Sequence, residues 1–178
     1  PERRRDAVSA AFAGVGLQPL VLLPEDRTLA APTVAQVVEA VEARARFLDA
    51  GAERLLERPL IASISADPGQ DYFARLPMSA VIVRGDKPDL HLAALNAGAP
   101  CLILTGGCPT LSYVLDRAEE EEVPVLQTEM GTVEAVQRIE GMFGAVPFAG
   151  GVGKLGRLSE LLGDVDLSGL AGTEETGA

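Results

Sequence analysis

The 178-residue chain has no tryptophan, and aromatics make up only 4% of it. With hydrophobic residues at 47%, the core has to be built from Ala, Val, Leu and Ile. There is one histidine, His91, so neither a zinc site nor a histidine-based triad is expected. The two cysteines, Cys101 and Cys108, fit a reduced, cytoplasmic chain. A disulfide between them is not expected, because Cys101 should be buried in a strand. No apolar run approaches the roughly 18 residues of a membrane span, and the opening "PERRRDAVSAAFAG" leads into no signal-peptide core. Positive charge is scarce: 15 Lys and Arg stand against 26 Asp and Glu, for a net charge of -11. That argues against nucleic acid and anionic membrane surfaces as partners, since each phosphate contact needs a cation. A small anionic ligand needs only a local cationic spot and stays open. Lysine is the rarer cation, with only Lys87 and Lys154, each beside a glycine-containing turn.

The length suits one domain with a real core, or one domain plus a fragment of another. The start at Pro1 rather than Met suggests a piece of a longer protein. Glu2–Ala13 reads as a helix and Pro19–Leu23 as a strand, the closing elements of some other unit. "LPEDRTLAAPT" reads as an extended connector, because Pro24 and Pro32 disfavour helix before them. A new unit begins at Thr33. Thr33 and Gln36 have capping-box spacing, and Val34, Val37, Val38 and Val41 share one helical face. "RARFLDAGAE" gives a short strand and a turn. "PLIASIS" is a strand, and "DPGQDYFARL" a helix with Asp67 as N-cap and Pro68 at its first position.

A rhythm follows. Strands "SAVIV", "CLIL" and "VPVL" alternate with helices at "KPDLHLAALNAG", "CPTLSYVLDRAEEE" and "GTVEAVQRIEGMF". The strand runs are apolar on consecutive residues, so both faces should be covered. The alternation predicts βαβ units and a mostly parallel sheet. Glu119–Glu122 read as a solvated face. After Val146 a short amphipathic helix over "GKLGRLSELLGDVDLSGL" and a disordered tail are expected.

In a parallel sheet the strand C-termini share an edge, and ligands tend to bind in the crevice beyond it. Four segments should converge there: Ser63–Asp67, with Ser65 and Asp67; Arg84–Asp89, with Arg84, Gly85, Asp86, Lys87 and Asp89; Thr105–Gly107, with Thr105, Gly106 and Gly107; and Thr128–Thr132. Each leads into a helix N-terminus, where free N–H groups favour an anion. Glycine lets backbone approach a ligand closely, Arg84 and Lys87 supply cations, and Asp86 can cap its helix or accept from a hydroxyl or amine. The same residue types are also what any tight strand-to-helix turn requires. "GGVGKLG" is not a phosphate loop: Phe148 stands where its first Gly is needed, and Leu155 where Ser or Thr is needed. Cys108 lies near a helix start, which lowers a thiol pKa, but His91 is not placed to serve it. His91 is expected on a helix surface or at a subunit contact. No carboxylate pair stands out as an acid/base couple.

At these residues the sequence resembles a family. "GDKPDLHLAALNAGAPCLILTGG" resembles the DRTGG domain, with the Asp-Arg pair on Asp86-Lys87 and the Thr-Gly-Gly on Thr105-Gly106-Gly107. "LPEDRTLAAPTV" resembles the connector between a dethiobiotin-synthetase-like P-loop domain and a DRTGG domain, as in phosphotransacetylase-family proteins and the N-terminal half of long phosphate acetyltransferases. The resemblance implies a three-layer α/β/α domain with a mostly parallel sheet, similar to the N-terminal domain of HPr kinase. It implies three regions: residues 1–32 as the end of an upstream P-loop-like domain plus connector, 33–143 as the DRTGG-like domain, and 144–178 as a C-terminal helix and tail. It further implies a regulatory, oligomerising role, with a homodimer or larger homo-oligomer and no cofactor. Two departures stand out: Lys87 keeps the charge of the usual Arg but loses its bidentate fork, and "TEMGT" replaces something nearer Thr-Pro-Tyr-Asp-Thr. Transferase activity is not carried over. The expected function is a non-catalytic module that binds a small anionic metabolite or nucleotide. The alternatives are a purely structural dimerisation domain and, less favoured, an enzyme in its own right.

Overall fold

Residues 79–83 and 101–105 are buried on both faces. Ala80, Ile82, Cys101 and Ile103 enter one apolar cluster, while Val81, Val83, Leu102 and Leu104 enter another. Alternate side chains of a strand point to opposite faces, so such strands need helices on both sides of the sheet.

The computed structural model describes residues 2–19, 21–62, 73, 75, 79–149, 151–163 and 165. The elements are α1 (Glu2–Gly14), α2 (Arg27–Ala30), α3 (Val34–Ala40), β1 (Arg44–Arg46), β2 (Arg58–Ile61), β3 (Ser79–Arg84), α4 (Pro88–Asn96), β4 (Cys101–Thr105), α5 (Ser112–Glu120), β5 (Val125–Gln127), α6 (Thr132–Glu140) and α7 (Gly151–Leu162). The sheet order is β1-β5-β4-β3-β2. Strands β2 to β5 run parallel, and β1 pairs antiparallel with β5 at the edge. Helices α4 and α5 cover one face through Leu90, Ala93, Leu95, Val114 and Ala118. Helix α3, with Val41, and helix α6 cover the other through Val34, Val37, Ala135 and Ile139. The fold is therefore a three-layer α/β/α domain with a mostly parallel sheet.

Local chemistry explains several boundaries. Thr33 and Gln36 form the expected reciprocal capping box at the start of α3, satisfying two otherwise unpaired N–H groups. Pro88 opens α4, where its missing N–H costs nothing. Glu119–Glu122, at the end of α5 and just beyond it, are exposed, with Glu120 and Glu121 paired to Arg117.

Two expectations change. Residues 21–23 are not a strand, and Leu20 lies outside the described residues. A strand needs a neighbour for its N–H and C=O groups, and among the described residues this segment pairs with none. The connector is not extended throughout. Asp26 accepts from the Leu29 N–H at 3.1 Å and caps the single turn α2. That turn is tied down by bonds from Arg27 and Thr28 to Glu57 and by an Arg157–Asp26 ion pair at 2.8 Å. The amphipathic helix expected after Val146 is present as α7, which begins two residues earlier, in "GVGKLG", and whose Lys154 is buried close to the Phe148 ring. The second half of "PLIASIS", most of "DPGQDYFARL" and the expected disordered tail lie outside the described residues.

Candidate functional site

The register pairs Arg84 with Thr105 and Leu104 with Gln127. Three strands thus end side by side, and the loops at Arg84–Asp89, Thr105–Gly107 and Thr128–Thr132 share one rim, as the spacing predicts. Ser65 and Asp67 lie outside the described residues.

The rim loops are not an open cradle. Their N–H groups donate to carbonyls of the neighbouring loop: Gly85 N to Thr105 O at 2.9 Å, Gly106 N to Met130 O at 2.9 Å and Gly107 N to Thr128 O at 3.0 Å. Side chains extend the clasp. The Thr105 and Thr132 hydroxyls are 2.8 Å apart, and Gln127 Nε2 donates to Cys108 O at 2.7 Å. Thr128 Oγ1 donates to Val41 O and accepts from Met130 N. The glycines permit this closeness. A Cβ on Gly85 would stand 2.8 Å from the Cys108 Cβ and 3.3 Å from two carbonyl oxygens, and one on Gly107 would collide with the Glu129 carboxylate. Gly106 and Gly107 also take positive φ, +84° and +67°, where other L-residues are strained. Here the glycines bring loop to loop.

The charged residues of the motif point outward. Arg84 and Asp86 pair at 2.6 Å with side chains 66% and 42% exposed, a contact worth under about 1 kcal/mol. Asp86 does not cap α4; the N-cap is Lys87, with no side-chain capping bond. Lys87 and Asp89 are exposed at the start of that helix.

His91 is neither on a helix surface nor free for a subunit contact, being only 1% exposed. Its Nε2 lies 2.9 Å from the Arg84 carbonyl oxygen, which can only accept, so Nε2 carries the hydrogen. Nδ1 is buried with no partner among the described residues. Burial pulls the ring below its ordinary pKa of 6.5, against the opposing pull of the Arg84 carbonyl and the Asp86 charge. Cys108 is half-buried in the loop four residues before α5, and its Sγ lies 3.7 Å from Gly106 O. Burial pushes the Cys101 thiol up to about 12, far from a thiolate at neutral pH.

Beside the rim lies a groove of about 360 Å³, bounded by Arg44 and Arg46 of β1, Val125 and Gln127 of β5, Leu115 of α5, and the loop residues Gly107, Pro109, Thr110 and Glu129. The β1–β5 register puts Arg44 opposite Gln127 and Arg46 opposite Val125, so these four side chains share a sheet face. Sequence reasoning missed the two arginines. Their only signal was a pair of cations two residues apart on a strand, and their neighbour β5 comes some 80 residues later. A larger cavity, about 640 Å³, is lined by α1 and residues 22–25 and shares no residue with the rim.

Comparison with known proteins agrees with this geometry. Over 100 residues the chain is 30% identical to the uncharacterized protein YtoI of Bacillus subtilis (strain 168), covering 56% of this chain and 22% of that protein. The chain thus spans about a fifth of that relative's length. It is similar in fold to the CBS and DRTGG domains of the regulatory region of Clostridium perfringens pyrophosphatase, solved with its activator diadenosine tetraphosphate. The TM-score is 0.56 at 13% identity, covering 67% of this chain and 52% of that one. The DRTGG domain family matches residues 36–142, from the capping-box Gln36 through both rim motifs to the end of α6. With more than half its length matched, the chain belongs to the DRTGG domain family.

Proposed function

We propose that this chain is a non-catalytic, cytoplasmic regulatory module of a phosphotransacetylase-like protein, which binds a small anionic ligand and self-associates as a homodimer or larger homo-oligomer. The observation that carries the ligand half is the groove beside the Thr-Gly-Gly loop. It holds two arginines with no ion pair or side-chain hydrogen bond among the described residues. The absence of catalysis is supported by the single histidine, whose Nε2 is engaged and whose ring is buried, and by Cys108, whose sulfur meets a backbone carbonyl rather than a base. The Clostridium perfringens protein carries its DRTGG domain in a regulatory region that meets a nucleotide activator, which adds weight by analogy. The outward side chains of Val8, Phe12, Val15 and Leu17 support assigning residues 1–32 to a neighbouring P-loop-like unit and its connector, with the DRTGG-like domain at 33–143 and the C-terminal helix and tail at 144–178.

Thermal-shift measurements against nucleotides, acyl-CoA, acetyl phosphate and central metabolites test the reading. A ligand at a hundred times its dissociation constant stabilises the fold by about 2.7 kcal/mol; no stabilisation by any of them in a folded sample removes the ligand half. One observation favours the structural alternative: the N–H groups of Gly85, Gly106 and Gly107 donate to carbonyls of neighbouring rim loops, so the motif residues suffice as turn-makers.

A further inference from the structure

We infer that the groove between β1 and α5 binds a mononucleotide-sized organic phosphate, with Arg44 and Arg46 holding the phosphate. This deepens the regulatory reading above and rests on it.

The first argument is charge. In a chain with 26 acidic and 15 basic residues, two neighbouring cations without a carboxylate make a local positive spot. Arg27, Arg84, Arg117, Arg138 and Arg157 each pair with a carboxylate. Arg44 and Arg46 do not, among the described residues, and both are exposed on the same strand face. Two residues along a strand is roughly 7 Å, within which two guanidinium forks can converge on one phosphoryl group or on two adjacent ones.

The second argument is the rest of the lining. Its floor and wall are apolar, from Val125, Leu115 and Pro109. The same lining holds acceptors: the Glu129 carboxylate and, opposite Arg44, the Gln127 Oε1, whose Nε2 is already committed to Cys108 O. A second anionic group beside Glu129 would be repelled, so the part of the ligand that meets these acceptors has to bring hydroxyl or amine donors. A phosphate joined to hydroxyl and amine donors and to a flat ring face is the composition of a nucleoside monophosphate. A volume of about 360 Å³ falls at the small end of ligand pockets, ~300–1,000 Å³, which favours a mononucleotide over a dinucleotide.

The third argument is the readout. Gly107 borders the groove and donates to Thr128 O, and Gln127 bonds the Cys108 carbonyl. An occupant touching these residues presses on the clasp that joins the three rim loops.

Calorimetric titration of the whole 178-residue chain with adenosine monophosphate, adenosine, inorganic phosphate and succinate tests this. Adenosine monophosphate should bind at least tenfold more tightly than any of the other three. Arg44→Gln with Arg46→Gln should weaken it at least tenfold, and the charge-conserving Arg44→Lys with Arg46→Lys should weaken it several-fold. Arg4→Gln with Arg5→Gln, the same change in net charge on the exposed α1, should leave it unchanged. Equal binding by wild type and both groove variants would overturn the groove while sparing the regulatory reading. Arginine-dependent binding in which phosphate or succinate matches the nucleotide would overturn the ligand class. Failure of all three anions to bind would overturn the groove proposal, and a thermal shift with any other ligand would still keep the regulatory reading.

Discussion

His91 shows how one side chain ties the motif turn to the core. Its Nε2–H holds the Arg84 carbonyl at the very residue where β3 ends and the turn begins, while its ring is buried, as are Leu90, Ala93 and Leu95 of the same helix. Nothing in "PDLHLAALN" reveals this, because the helix is short and apolar nearly all the way round, so no polar face marks where a histidine should point. A pH effect follows. The folded-state pKa lies below the ordinary 6.5 because burial disfavours the imidazolium. The unfolded chain therefore binds the proton more readily, and stability rises with pH wherever it does so. The contribution is fully present above pH 6.5 and is lost as pH falls from there toward the folded pKa, at up to about 1.4 kcal/mol per pH unit. Denaturant melts between pH 5 and 7.5 should show this slope in the wild type, and His91→Gln should flatten it. A slope that survives in the variant would place the titration elsewhere.

Between elements, the clasp makes a rim out of three separate βα turns, and its least yielding contact is Gly85 against Cys108, where backbone as well as side chain stands in the way. Alanine at Gly85 must push the Thr-Gly-Gly loop back, since two of the three blocking atoms are backbone carbonyl oxygens. The bond from Gly85 N to Thr105 O is then stretched or lost, so Gly85→Ala should cost roughly 2–3 kcal/mol, typical of overpacking. Gly98→Ala has open space and bears only its positive φ, a penalty of about 1–2 kcal/mol. Adding Cys108→Gly to Gly85→Ala should recover part of the loss, and denaturant melts of the three variants measure that coupling. Additive losses would mean the two loops do not press on each other. Much at this scale was legible in the sequence. The consecutive apolar runs announced strands buried on both faces, and the Thr33–Gln36 pair announced the start of α3. The motif turns were placed correctly, but their glycines looked ready for a ligand because their hydrogen-bond partners, Thr128 and Met130, sit one βα unit further on. The turn α2 was hidden for a similar reason: Asp26 could cap it, yet what steadies it are Glu57 and Arg157, distant in sequence.

For the whole molecule, charge sets two processes against each other. Two copies carrying -11 each repel, so self-association through apolar contact has to overcome that repulsion and gains when salt screens it. Binding of a phosphate to Arg44 and Arg46 is an attraction between opposite charges on an exposed strand, and the same salt weakens it. Raising ionic strength from about 0.05 M to about 0.5 M shortens the screening length from roughly 14 Å to roughly 4 Å, on the scaling that gives ≈10 Å at 0.1 M. Across that range the self-association constant should rise several-fold by sedimentation equilibrium, while adenosine monophosphate affinity should fall several-fold by titration. The opposing signs separate the two halves of the proposed function, which a single measurement at one salt concentration would merge. A chain that stays monomeric at every salt and at micromolar concentrations has no self-associating role. Association that weakens with salt, and is lost in the Arg44→Gln, Arg46→Gln variant, would make the arginine groove the seat of a second copy's carboxylates. The -11 chain would then be its own anionic partner.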